Sequence, residues 1–411
     1  MESEIFNLID EELQRQQDNI ELIASENIVS KNVLKASGSI LTNKYAEGYP
    51  NHRYYNGCGC IDKIETIAIE TAKKLFNCNF ANVQPANGTA MNWAAMNAVL
   101  ESGDVILGMS LDAGGHLSHG HKVSASGKYF KAIQYGVDNN GILDYQQLED
   151  LLNQHKPKML IVGASAYPRE IDYKKINEIR NRHKENTGNK PFVLVDIAHI
   201  SGLVATGYHQ TPFGVFPDSK LIVTTTTHKT LRGARGGLIL CNDEKLAEKI
   251  DKSVFPGIQG GPLEHIIAAK AITFIEALKP EYKEYIGQVV KNIKAMEKTF
   301  IDNNVKLVSG GSDNHLLLLD LRNFNIDGQS YADLLEKINI TANKNSVPND
   351  TNFKKPCGLR IGTPAITTRG FKETDCEEVA KIMIDMLKKE CDKEKLKERV
   401  KTLTTNHPIY D

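Results

Sequence analysis

Apolar positions along the 411-residue chain fall into two kinds of run. The first kind is short, unbroken and rich in β-branched residues: Ala81 to Val83, Asp104 to Met109, Met159 to Val162, Pro191 to Asp196, Leu221 to Val223 leading into four threonines, and Leu238 to Cys241. Such runs predict buried strands. The second kind spaces its apolar residues by three and four. Ile61, Ile64, Ile67 and Ala68, Ala72 and Leu75 predict a helix over 61–76. Further helices are expected over Ala94 to Leu100, Lys174 to Lys184, Asp243 to Val254 and Leu263 to Leu278. Strand and helix in alternation predict an α/β domain. Past Pro280 the pattern changes to helix, strand (His315 to Leu321), helix, short strands around NKNSVPND and GLRIGTPA, and a charged helix, which predicts a smaller α+β domain. Residues 1–19 read as a polar helical arm. The expected division is therefore an arm over 1–20, a large domain over 21–280 and a small domain over 281–411.

Charge narrows the function classes. Fifty basic and fifty-one acidic residues give a net charge of −1, which leaves no global pull toward nucleic acid or membrane. An anionic ligand must then be held by a local cluster. The apolar runs are strand-sized, so no membrane span is expected. Residues 1–21 are acidic and amphipathic, unlike a secretory leader. Seven cysteines, odd in number and scattered, fit a reducing, cytoplasmic setting. Cys58 and Cys60 lack a second pair at zinc spacing, and His116, His119 and His121 match no common zinc pattern, so no metal is expected.

The chemistry concentrates in TTTTHKTLRGARGG, Thr224 to Gly237. A lysine at a strand end, Lys229, stands beside His228 and near Arg232 and Arg235. Neighbouring cations lower a lysine's pKa and suit it to Schiff-base formation. Asp196 closes the preceding strand, where ligand sites of open α/β sheets lie; it is either an N-cap or a functional carboxylate. Asn87-Gly88-Thr89 is either a plain helix cap or a phosphate-binding turn. Arg360 reads as a surface ion pair or a carboxylate clamp. Glu47 sits in a loop with Tyr45, Tyr49, Tyr54 and Tyr55, which serves packing, an interface or a site. Together these are the parts of a pyridoxal-phosphate amino-acid enzyme.

ELIASEN, LTNKYAEGYP, VTTTTHKT, FPGIQGGP, NKNSVPND and RIGTPAITTRG carry a specific resemblance to the serine hydroxymethyltransferases, from about Glu21 to about Phe371. The resemblance implies a fold-type-I pyridoxal-phosphate transferase with a mostly parallel central sheet and a smaller C-terminal domain. It implies Lys229 as the cofactor's covalent anchor, Asp196 as partner of the ring nitrogen, His116 stacked on the ring, and His199 and Ser165 near its 3′-oxygen. Gly88 and Thr89 would hold the phosphate, with Gly260, Gly261 and Tyr45 reaching in from a neighbouring subunit. Glu47 and Tyr55 would come from that subunit too, Glu47 as proton shuttle, making a homodimer or tetramer with shared sites. Arg360 and Ser25 would hold the substrate's carboxylate end, His228 would tune the lysine, and Leu111, Gly115, His116, Leu117 and Asn345 would border the tetrahydrofolate.

The implied reaction moves serine's hydroxymethyl carbon to tetrahydrofolate, giving glycine and 5,10-methylenetetrahydrofolate. Some positions depart from the family pattern. The phosphate turn is Ala86-Asn87-Gly88-Thr89-Ala90-Met91-Asn92, without the usual Ser and Gln; Gly59 replaces an acidic residue; Ala234 replaces a proline; and the aromatic at Phe353 is displaced by one position. These departures keep two alternatives in view: a folate-independent aldolase of β-hydroxy amino acids, and a catalytically silent paralogue.

Overall fold

The computed structural model describes residues 2–350, 355–388 and 392–410. They form two compact units, one from Val29 to Glu284 and one that joins the residues up to Ile28 with those from Tyr285 on. Residues 1–20, expected as a separate arm, and 21–28, expected in the large domain, both group with the C-terminal unit.

The Val29–Glu284 unit is built on a seven-stranded sheet. Its strands are β1 (Phe80–Asn82), β2 (Val105–Met109), β3 (Lys131–Tyr135), β4 (Met159–Val162), β5 (Phe192–Asp196), β6 (Leu221–Thr226) and β7 (Gly237–Cys241), in the spatial order β1-β7-β6-β5-β4-β2-β3. β6, β5, β4, β2 and β3 run parallel, whereas β7 is antiparallel to both β6 and β1. Every residue of β4, β6 and β7 is buried, as continuous apolar runs in a sheet covered on both faces require. The helix predicted over 61–76 is Gly59–Phe76 (α1), with Ile61, Ala68, Ala72 and Leu75 buried on one face. The helix expected from Ala94 begins six residues earlier, as Gly88–Asn97 (α2), because Asn87 is its N-cap and accepts from the Ala90 N–H at 2.9 Å. Glu264–Ala277 (α3) is the long apolar helix that closes this unit.

In the other unit a four-stranded antiparallel sheet carries β8 (Lys306–Leu307), β9 (Leu316–Asp320), β10 (Asn343–Asn345) and β11 (Gly358–Gly362), in the order β8-β9-β11-β10. The N-terminal segment joins this unit through its backbone. Ile20 and Glu21 pair in parallel with Ile340 and Thr341. Ile20 and Leu22 are fully buried in the same core as Leu317, Leu359 and Ile361, worth about 1.5–3 kcal/mol each. Arg369 completes the join. Its guanidinium donates to the carbonyls of Gln17 and Asn19 at the end of helix Glu2–Asp18, and to those of Thr404 and His407 at the end of helix Lys393–Asn406. It thereby satisfies carbonyls that helix ends leave without partners. The helix predicted over 1–19 is present but buries none of its residues, and Ile5, Phe6, Leu8, Ile9 and Leu13 stand exposed along it. Among the described residues no helix is long and apolar enough to cross a membrane.

Candidate active site

Because β1, β2, β4, β5 and β6 point the same way, their carboxyl ends open on one edge of the sheet. The segments that leave those ends enclose a cavity of about 310 Å³, within the usual range for small-molecule sites. α2 contributes Gly88 and Thr89, the loop after β2 contributes His116 and His119, and the loop after β4 contributes Ser165. Asp196 and His199 follow from β5, and Thr226, His228, Lys229 and Arg235 from β6 and its loop.

Asp196 is held through both of its carboxylate oxygens. Its Oδ2 accepts from Asn92 Nδ2 at 2.8 Å and lies 2.9 Å from His119 Nε2, while Oδ1 accepts from the Ala198 N–H at 3.0 Å. Burial alone would raise this carboxyl, but the hydrogen bond and charge of His119, with His116 and Asn92 adding, hold it well below the usual carboxylate range. The site thus contains a buried carboxylate that stays ionised. His116 is oriented by Ser118, whose Oγ lies 2.6 Å from its Nδ1, and its ring centroid is 5.6 Å from that of His119.

Lys229 Nζ donates to Thr226 Oγ1 at 3.0 Å. The loop that presents it is folded on itself. Thr227 N–H donates to the Gly236 carbonyl and Arg232 N–H to the Lys229 carbonyl, with Arg232 at φ 56°, a conformation uncommon outside glycine. The arginines expected beside Lys229 go separate ways: Arg235 borders the cavity, whereas the Arg232 guanidinium lies 5.8 Å from the centre of the Tyr282 ring. Burial, then the charges of Lys229, Arg235 and Lys270, push the His228 imidazole down to about 3, so it is neutral at physiological pH. The start of α2 presents backbone N–H groups suited to an anion. Asn87 thus serves as a cap, while Gly88 and Thr89 border the cavity.

A second cluster in the same unit gathers Tyr45, Glu47, Tyr55, Gly260 and Gly261. The Tyr45 and Tyr55 rings meet edge-on at 5.3 Å. The Glu47 charge raises the Tyr55 phenol. A Cβ on Gly260 would come within 3.3 Å of Glu47 Oε1, and one on Gly261 within 3.1 Å of the Tyr45 ring. None of the five borders the Lys229 cavity.

The model of the serine hydroxymethyltransferase family matches residues 1–383. Curated relatives agree over nearly the whole length. The serine hydroxymethyltransferase of Mycoplasma mobile is 51% identical, over 100% of this chain and 98% of its own. That of Lactobacillus johnsonii is 52% identical over 98% of each chain. The chain belongs to the serine hydroxymethyltransferase family. The expected fold follows from membership: an α/β chain of fold type I, with a large, mostly parallel sheet.

Of the family positions read from the sequence, Lys229, Asp196, His116, His199, Ser165, Gly88, Thr89 and His228 border one cavity. Leu111 and Leu117 are exposed on the loop that also holds the buried Gly115. Ser25, Arg360 and Asn345 belong to the other unit. There the nearly buried Arg360 donates to Asn343 Oδ1 through Nε and Nη2 at 3.3 and 3.2 Å, and burial pushes it down to about 10. Asn345 Nδ2 donates to the Ser346 carbonyl. Phe353 lies outside the described residues. The sequence reading missed the supports of Asp196, namely His119 and Asn92. The sequence offers His119 as a metal ligand or as a ring-stacking imidazole, not as the partner of a carboxylate; among the described residues no three His, Cys, Asp or Glu side chains are grouped to hold a metal ion. No signal in the sequence marked these supports, because His119 lies in an irregular loop.

Proposed function

We propose that this protein is a pyridoxal-phosphate-dependent serine hydroxymethyltransferase, interconverting L-serine and tetrahydrofolate with glycine and 5,10-methylenetetrahydrofolate. The observation that carries the reading is the cavity shared by Lys229, the ionised Asp196 carboxylate and the start of α2. These residues fit the cofactor: an amine for its aldehyde, an anion for its protonated ring nitrogen, and N–H donors for its phosphate. Thr89 keeps a hydroxyl in the turn although Ser and Gln of the family pattern are absent.

Pyridoxal phosphate, when bound, supplies a ring that takes up the electron pair released as serine's Cα–Cβ bond breaks. Lys229 Nζ would hold the cofactor through its aldehyde carbon. Asp196 would keep the ring nitrogen protonated, while its network with His119 and Asn92 holds Asp196 itself ionised. His116 would stack on the ring, His199 and Ser165 would lie near its 3′-oxygen, and neutral His228 adds no charge beside Lys229. Gly88 and Thr89 would take the phosphate. Arg360 has the guanidinium fork that a substrate carboxylate would take, with Ser25 in the same unit. Leu111, Gly115 and Leu117 would border the folate.

Glu47 Oε1 carries the proton to and from the reacting oxygen or folate nitrogen, with Tyr55 beside it. Glu47, Tyr45, Tyr55, Gly260 and Gly261 do not border the cavity of their own chain, and we assign them to the cavity of a second copy in a homodimer. The exposed apolar residues of helix Glu2–Asp18 support an association of this kind. The described cysteines are all free, in keeping with a cytoplasmic setting.

The test is steady-state cleavage of serine with and without tetrahydrofolate, together with the absorption spectrum on adding cofactor. Acceleration by tetrahydrofolate and a visible band that requires the cofactor are expected. Cleavage of allo-threonine with no effect of tetrahydrofolate on serine would replace the reading with a folate-independent aldolase.

A further inference from the structure

Lys270 on α3 is fully buried and does not border the cavity, yet its ammonium is satisfied by three backbone carbonyls. Nζ donates to Val83 O at 2.7 Å, to Pro85 O at 2.9 Å and to Gly237 O at 2.9 Å. Val83 and Pro85 belong to the turn between β1 and α2, the turn that ends in Gly88 and Thr89. Gly237 begins β7 and closes the loop that carries Lys229. One side-chain nitrogen therefore ties the two segments together. Gly236 makes room for it: a Cβ there would meet Lys270 Cε at 2.2 Å.

Gln259 reinforces the same turn. Its Oε1 accepts from the Ala86 N–H at 2.8 Å and its Nε2 donates to Gln84 O at 3.0 Å. The Gly237 N–H, in turn, donates to Pro85 O at 2.9 Å. The turn is too irregular to satisfy its own backbone, since β1 ends at Asn82 and Pro85 has no N–H to give. Lys270 and Gln259 supply what a strand ladder would have supplied.

A ligand joined to Lys229 at one end and held by its phosphate at the other has a fixed length, so both attachments form without strain only at one separation of the two segments. We propose that Lys270, assisted by Gln259, is a positioning residue that sets this separation and so makes the site selective for a phosphorylated pyridoxal. The inference rests on the pyridoxal-phosphate reading above.

The experiment titrates the full-length apoprotein with pyridoxal phosphate and with unphosphorylated pyridoxal, following absorption, for wild type, Lys270→Met and Gln259→Leu. Circular dichroism checks that each variant is folded. Wild type should prefer the phosphorylated ligand. Lys270→Met should lose roughly ten- to hundredfold in affinity for pyridoxal phosphate and less than about threefold for pyridoxal. Gln259→Leu should move the ratio the same way by a smaller factor. A general loss of structure would weaken both ligands alike, so an unchanged ratio in the variants overturns the inference. If Lys270→Met does not fold, the ratio in Gln259→Leu decides. A wild type with no preference for the phosphorylated ligand overturns the cofactor reading, and the inference falls with it.

Discussion

The residues around Lys229 and those around Glu47 belong to the same unit but are held in opposite ways. Asp196 and Lys229 sit at or just past the ends of buried parallel strands, and each has a named hydrogen-bond partner. Tyr45 and Tyr55 stand exposed in a turn-rich segment with their rings edge-on to each other. Strand ends fix a side chain through the sheet, whereas a loop fixes one only when something else packs on it. The first group lines a cavity within one chain, and the second lines none of it, as its proposed place in a partner's cavity requires.

The sharpest test of this contrast is loss at the first group. Lys229→Ala should abolish turnover and leave the cofactor loosely held. Undiminished serine cleavage in that variant would remove Lys229 from its place at the centre. Asp196→Asn should keep the fold and lower kcat by about 10²–10³-fold, as when a preorganised charge is removed. A change of less than about tenfold in kcat would mean that the ionised carboxylate is not used.

Mixing addresses the second group directly. Glu47→Gln alone should be severely impaired. Lys229→Ala and Glu47→Gln chains, unfolded and refolded together in equal amounts, should recover roughly one quarter of wild-type activity, because half the dimers would be mixed and each would hold one intact site. No recovery would place Glu47 in the site of its own chain.

A smaller effect concerns a carboxyl that lacks what Asp196 has. Glu264, at the start of α3, is only 1% exposed, and neither carboxylate oxygen has a hydrogen-bond partner among the described residues. Burial, then the charge of Glu65, pushes it up to about 8. Its folded pKa lies above the ordinary value, so the folded state holds a proton that the unfolded state gives up from about pH 4.5. The stability it contributes is therefore present at low pH and lost as pH rises through about 8. Glu264→Met should stabilise the protein by about 1–3 kcal/mol near pH 8 and by less near pH 5. Denaturant melts at the two pH values would show it, and an equal effect at both would remove titration as the cause.

The strand ends were legible in the sequence because parallel strands buried on both faces leave unbroken apolar runs, and Asp196 and Lys229 stand where two such runs stop. The roles of the cavity residues came from motifs, which carry chemistry but not supports. His119 was misweighed because a loop has no period from which to read which way a side chain faces. α2 starts six residues before the expected position because its first residues, Gly88, Thr89 and Ala90, are small and show no helical period, and the deciding bond is a single cap at Asn87. Local patterning also could not assign residues 21–28 to their unit, since Ile20 and Glu21 find their partners at Ile340 and Thr341.

That pairing has a consequence for how the protein is made. Ile20 and Ile340 lie directly opposite each other although 320 residues separate them. At about 5–20 residues per second, a ribosome takes roughly 15–65 s to deliver the second after the first. For all of that time the N-terminal segment has left the exit tunnel with no strand to join. Ile20 and Leu22 then remain open on the nascent chain, where a chaperone can bind them, until almost the whole polypeptide has emerged.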